Sequence, residues 1–206
     1  MKKYELTKET KVIGGKTLFR IRALRSFGDI KAGDLGGFIE NERNLSHEGN
    51  AWVVGNARVG GNAWVGDNAK VGGCAWVGDE AWVIENAVIE GNAKVGGNAL
   101  VCGNAQVVGN AQVVGDAWVC GYARVNGDGL INSNDDYLCE KGLGSHNRSD
   151  SFFKCKDGHI HVLCGCFDGN LDEFENKVKE EHGNSKYAKE YLGFIEVVKT
   201  HFEVRQ

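Results

Sequence analysis

The sequence has no proline, one methionine and no apolar run longer than a few residues in its 206 positions. A helix that crosses a bilayer needs about 20 consecutive, mostly apolar residues, so a transmembrane helix is excluded. Behind Lys2 and Lys3 the opening stretch Met1–Thr10 carries no apolar block, and it does not read as a secretion signal. Charge of one sign is also scarce: the net charge is −4, with a mildly basic first 49 residues and a mildly acidic final third. A duplex-binding surface would need a clustered basic face, so nucleic acid is not an expected partner. The seven cysteines are odd in number and irregularly spaced. Without an export signal they read as reduced thiols, and the expected location is the cytoplasm. Lacking proline, the chain must turn with other residues, and its 30 glycines indicate where.

Residues 50–127 repeat every six positions without an insertion, as NAWVVG, NARVGG, NAWVGD, NAKVGG and onward to DAWVCG and YARVNG. The second place is always Ala, the fourth is Val or Ile, and the joints are mostly Gly, Asn, Asp or Glu. Strand side chains alternate, so Ala and Val point to one side and the residue between them to the other. Gly, Asn and Asp tolerate the positive φ of a sharp turn. A period this short implies a solenoid whose repeats are single strands. Three strands close a triangular coil of eighteen residues, with strands stacked roughly 4.8 Å apart.

An eighteen-residue coil sorts the outward residues into three columns. Trp52, Lys70, Val88, Gln106 and Arg124 form one mixed column, and Arg58, Trp76, Lys94, Gln112 and Leu130 form another. The third holds Trp64, Trp82, Leu100 and Trp118, an apolar strip that marks a contact surface. Its occupant is open among the chain's own C-terminal helix, a second subunit, and a planar ligand stacked on the indoles. Cys102 and Cys120 share a corner column with Ile84 and are expected to be adjacent, unbonded thiols.

Strands are expected at Tyr4–Ile13 and Leu18–Ser26, joined by the hairpin signal Gly14-Gly15-Lys16-Thr17. Residues 44–49 fit a degenerate first coil with Leu45 at the Ala place and His47 at the Val place, so residues 1–49 are a cap on a repeat spanning 50–132. Residues 133–150 read as a linker, and 151–206 as an α+β module. That module has strands at Ser151–Lys156 and His159–Cys166, a helix capped by Asn170 and stopped by Gly183, and a second helix from Ser185.

The hexads resemble the hexapeptide-repeat family, which forms a left-handed parallel β-helix, commonly trimeric. The fold expected is thus mainly β: about four to five triangular coils with an N-terminal β cap and a small C-terminal α+β domain. Residues Ile21–Leu24, Gly36–Glu40 and Asn44–His47 are similar to the leader of hexapeptide proteins carried by prophages. Cys164–Phe174, Val178, His182-Gly183, Tyr187 and Tyr191 resemble a C-terminal module of phage proteins.

The family's best-known activity is CoA-dependent acyl transfer with a histidine base. None of the thirteen hexads contains His or an inserted loop. The remaining base candidates are His47, in the cap, and His146, in the polar linker. Cys155, His159, His161, Cys164 and Cys166 offer zinc-type ligands within twelve residues. Their Cys-x-Cys and His-x-His spacing lacks the usual Cys-x2-Cys knuckle, and packed thiols with exposed imidazoles are the favoured reading. No cofactor is expected. The favoured function is a non-enzymatic binding protein that sequesters a host protein or nucleotide-like ligand, in a counter-defence role. Arg58, Trp76 and Lys94 adjoin the Trp strip. Acyl transfer is the alternative.

Overall fold

In a computed structural model, described over residues 2–144 and 148–203, the chain forms a parallel β-solenoid of about five turns. An N-terminal cap closes one end, and an antiparallel sheet backed by two helices closes the other. Strand β1 (Tyr4–Ile13) pairs antiparallel with β2 (Lys16–Ala23), which pairs with β3 (Leu35–Ile39). Fourteen two-residue strands follow, from Trp52–Val53 to Leu130–Ile131. Each stacks in parallel on the residue pair eighteen positions away, as Val88 does on Gln106. Every inward Ala and Val or Ile of the hexads is buried. The interior is a column of methyl and isopropyl groups sealed by coil-to-coil hydrogen bonds.

The first coil starts earlier than the hexads suggest. Phe38 pairs with Arg58 and Leu45 with Val65, each twenty positions apart, so two extra residues lie between Leu45 and Val53. Leu45 therefore takes the Val place, not the Ala place, and His47 falls in the extra segment. The longer corner makes room for the cap. The Tyr4 ring stacks on His47 at 4.3 Å, and its hydroxyl donates to the Glu42 and Leu45 carbonyls. Buried Lys3 donates through Nζ to the Ala51 and Glu48 carbonyls. Burial and, secondarily, Arg25 pull its amine down to about 8.

Asn126 and Gly127 complete the last regular hexad, and the segment beyond Asn132 is more than a linker. A short turn (Asn134–Asp136) leads into β4 (Tyr137–Lys141), which pairs antiparallel with β5 (Ser149–Lys154). β6 (Ile160–Cys164) and β7 (Phe167–Asn170) complete the sheet. Alternation splits its faces. Phe153, Cys155 and Leu163 join the solenoid core, while Phe152, Ile160 and Val162 pack on α1 (Leu171–His182) and α2 (Lys186–His201). Asn170 caps α1 in a reciprocal box with Glu173, and Ser185 caps α2. The sheet seals the solenoid's second apolar end, and the helices cover the sheet. Among the described residues no helix is long and apolar enough to cross a membrane.

Candidate binding surface

The Trp strip is not covered by the C-terminal helix. The apolar stripe of α2 (Ala188, Ile195, Val198) is spent on the sheet, with Phe194 5.5 Å from Phe152. Trp82 and Trp118 remain 53% and 59% exposed, and Trp64 and Leu100 are half-buried. The four residues stack in one sheet, Trp64 on Trp82 and Leu100 between Trp82 and Trp118. Half-buried Ile84 stands at the adjoining corner, and next to it Cys102 and Cys120 are joined as a disulfide. This overturns the expectation of free thiols. The coil repeat brings their Cα atoms to 4.6 Å, inside the span that a disulfide bridges. The five other cysteines are free.

Polar ladders frame the strip. On one side the amides of Asn50, Asn68, Asn86 and Asn104 hydrogen-bond from coil to coil. On the other, Asn62 donates to Glu80 and Asn98 to Asp116. An apolar centre inside a polar rim is the anatomy of a protein contact surface. At the corners Asp67, Asp79 and Glu85 adopt positive φ, where most coils use Gly. Their carboxylates accept backbone N–H groups of the next coil, from Glu85, Gly97 and Gly103. The hydrogen bond offsets the left-handed backbone.

At the C-terminal foot of the strip lies a cleft of about 550 Å³. Trp118, Tyr122, Tyr137 and Lys141 line it, with Asn134 and Glu140. The Lys141 ammonium sits 4.8 Å from the centre of the exposed Tyr122 ring. Burial holds the Tyr137 hydroxyl and the Cys139 thiol above their usual pKa. The arrangement offers two exposed aromatic rings, one cation and one carboxylate, enough to stack a planar ring and hold a charged or hydroxylated substituent. Tyr122, Tyr137, Lys141 and Glu140 were not apparent as site residues in the sequence. The available signal was Tyr122 itself, an aromatic at the joint where other hexads place Asn, Asp, Glu or Cys.

The other expected residues are dispersed. Arg58, Trp76 and Lys94 lie together on the adjoining face, with the Arg58 guanidinium 6.0 Å from the Trp76 ring and donating to the Cys74 carbonyl. His47 Nδ1 accepts the Lys3 backbone N–H, Nε2 lies 3.9 Å from Glu42, and burial lowers its pKa. It is a cap residue. His146 lies outside the described residues. Of the five expected zinc-type ligands, Cys155, His159 and His161 converge, their ligand atoms all within 4.8 Å of one another. Cys164 and Cys166 line a separate cleft of about 530 Å³ with Asp150, His182 and Tyr191. Burial, followed by the Asp150 charge, pushes the Cys164 thiol up to about 12, so it stays protonated and unreactive.

No protein-family model matches the chain, and no curated protein sequence matches it significantly.

Proposed function

We propose that this is a non-enzymatic binding protein. Its Trp strip seats a second copy of the chain, and the aromatic cleft at the foot of the strip holds a planar, nucleotide-like ligand. The observation that carries this reading is the pair Trp82 and Trp118, more than half exposed on an apolar strip with a polar frame. Such strips on monomers are uncommon and mark contact sites. The resemblance of the hexads to hexapeptide proteins supports left-handed coils and a homotrimer. The similarity of the leader and the C-terminal module to phage proteins supports sequestration of a host component or a signal nucleotide, in a counter-defence role. In the cleft, Tyr122 stacks the base, Lys141 meets an anionic group, and Glu140 accepts from an amino or hydroxyl group.

Acyl transfer fits less well. His47, the family-type base candidate in the described chain, is engaged by Tyr4 and Lys3. Isothermal titration with a purine nucleoside monophosphate tests the ligand. Saturable binding is expected, weakened about tenfold in Tyr122→Ala, since base stacking contributes roughly 1–3 kcal/mol, and weakened also in Lys141→Ala, which removes the cation that meets the anionic group. Unchanged affinity in both variants would overturn the cleft assignment, and turnover of acetyl-CoA by the purified protein would contradict the non-enzymatic reading.

A further inference from the structure

We propose that Cys155, His159 and His161 form a zinc site at the seam between the C-terminal sheet and the last coil of the solenoid. The β5–β6 hairpin assembles it. The Cys155 N–H donates to the His159 carbonyl at 2.9 Å, which makes these two residues a facing pair, and His161 stands opposite Phe153 two residues along the strand. Alternation then puts the Cys155, His159 and His161 side chains on one face, the face that meets the solenoid. Cys155 is buried, His161 half-buried and His159 exposed, so the site is rooted in the core and open to solvent on one side.

The hydrogen bonds outside the cluster determine what points into it. His159 Nδ1 lies 2.5 Å from Asp157 Oδ1, and His161 Nε2 lies 2.7 Å from Asp168 Oδ1. A carboxylate only accepts, so both of these nitrogens carry the proton. In the neutral imidazoles this leaves His159 Nε2 and His161 Nδ1, 3.5 Å apart, as the nitrogens that offer lone pairs to an ion. Carboxylates holding the outer nitrogens are the usual support of metal-bound histidines, setting the tautomer and raising ligand basicity. Zn–N distances of about 2.0–2.1 Å and a Zn–S distance of about 2.3 Å put tetrahedral ligand atoms about 3.3–3.6 Å apart. The two nitrogens, 3.5 Å apart, lie close to that spacing, and with all three ligand atoms within 4.8 Å of one another the site contracts slightly on binding. One thiolate and two imidazoles suit a borderline ion such as Zn²⁺ better than a hard one. Binding forms an S–Zn bond and releases the Cys155 thiol proton to solvent, and each imidazole binds through a nitrogen lone pair. The fourth position is left to water or to an exogenous ligand.

The site also ties two parts of the fold together. Asp168 Oδ2 accepts from Asn126 Nδ2 of the last hexad at 3.0 Å, so the carboxylate that orients His161 is anchored to the solenoid. Gly129 bridges to Cys155, and the Lys156 N–H donates to the Asp128 carbonyl. The Lys156 ammonium is held by the Asn110 carbonyl and Asp128. An ion here clamps the sheet onto the open end of the coils.

Titration of the full chain with Co²⁺ as a spectroscopic probe, followed by competition with Zn²⁺, tests the assignment. One equivalent is expected, with a near-ultraviolet thiolate-to-cobalt band that Zn²⁺ removes. Cys155→Ser should lose the band. His159→Ala, at an exposed position where folding is least at risk, should weaken binding at least 100-fold, and Asp168→Asn by about 10–100-fold. Added Zn²⁺ should raise the Tm of the wild type and leave that of His159→Ala unchanged. Absence of saturable binding, or binding with equal affinity in wild type and His159→Ala, would overturn the proposal.

Discussion

Trp52 and Trp82 occupy the same place in the same six-residue repeat, yet one is 2% exposed and the other 53%. Both side chains leave the solenoid outward. Trp52 meets Phe27 edge-on at 5.3 Å and Tyr4 at 6.1 Å, because the longer corner after Leu45 lets the cap fold down over it. Trp82 meets no such cover, and neither does Trp118 two coils below it. The repeat sets the direction of a side chain, and only the segments outside the repeat decide what becomes of it. An indole that the chain itself buries contributes to stability, and one that it leaves bare is available for contact.

Truncation should separate the two roles most sharply. Trp52→Ala removes a buried aromatic from a packed cluster and should cost about 3–5 kcal/mol, read from denaturant unfolding. Trp82→Ala should cost the isolated chain less than about 1 kcal/mol. Equal losses would erase the distinction between the covered and bare indoles.

Alkaline pH probes the cover over Trp52. Lys3 has a folded pKa of about 8, below the roughly 10.4 of an unfolded lysine. Between those values the unfolded chain binds more protons, so the cap gains stability as pH rises. Above about pH 10 the raised pKa of Tyr4 reverses the trend, since the folded form then holds the extra proton. The far end behaves oppositely. Burial raises the Cys164 thiol to about 12 and raises Cys139, so above roughly pH 8.5 the folded form binds more protons and the sheet loses stability. Native-state hydrogen exchange, corrected for intrinsic rate, should show cap amides gaining protection from pH 8 to 9.5 while β4–β6 amides lose it.

The smallest effect is expected at the corners. Asp67→Gly relieves a left-handed backbone at a cost of one hydrogen bond to the Glu85 N–H. Each is worth about 1 kcal/mol, so the net change in melting should stay within about 0.5 kcal/mol. A larger loss would give the acidic corners a part in holding the coils that face the Trp strip.

Much of this architecture is legible in the residues. The Ala and Val places, the β1 boundaries and the Asn170 cap follow from local periodicity and hydrogen-bonding chemistry. The position of Leu45 does not, because a two-residue lengthening is invisible until Leu45 pairs with Val65. β4 lies in a polar context and exists because β5 offers it an edge. Among the cysteines and histidines, spacing showed a cluster but not its membership. Strand alternation sends Cys164 to the helix side and keeps Cys155, His159 and His161 on the solenoid side. The aromatic cleft is legible only once the strip and the C-terminal sheet meet.

The bare strip is proposed to be a contact between copies of the chain. Sedimentation velocity of the wild type beside the double variant Trp82→Glu, Trp118→Glu measures this directly. The wild type is expected to sediment as a closed oligomer of three chains, and the variant as a monomer with the same far-ultraviolet circular dichroism. Identical sedimentation of the two proteins would contradict the claim.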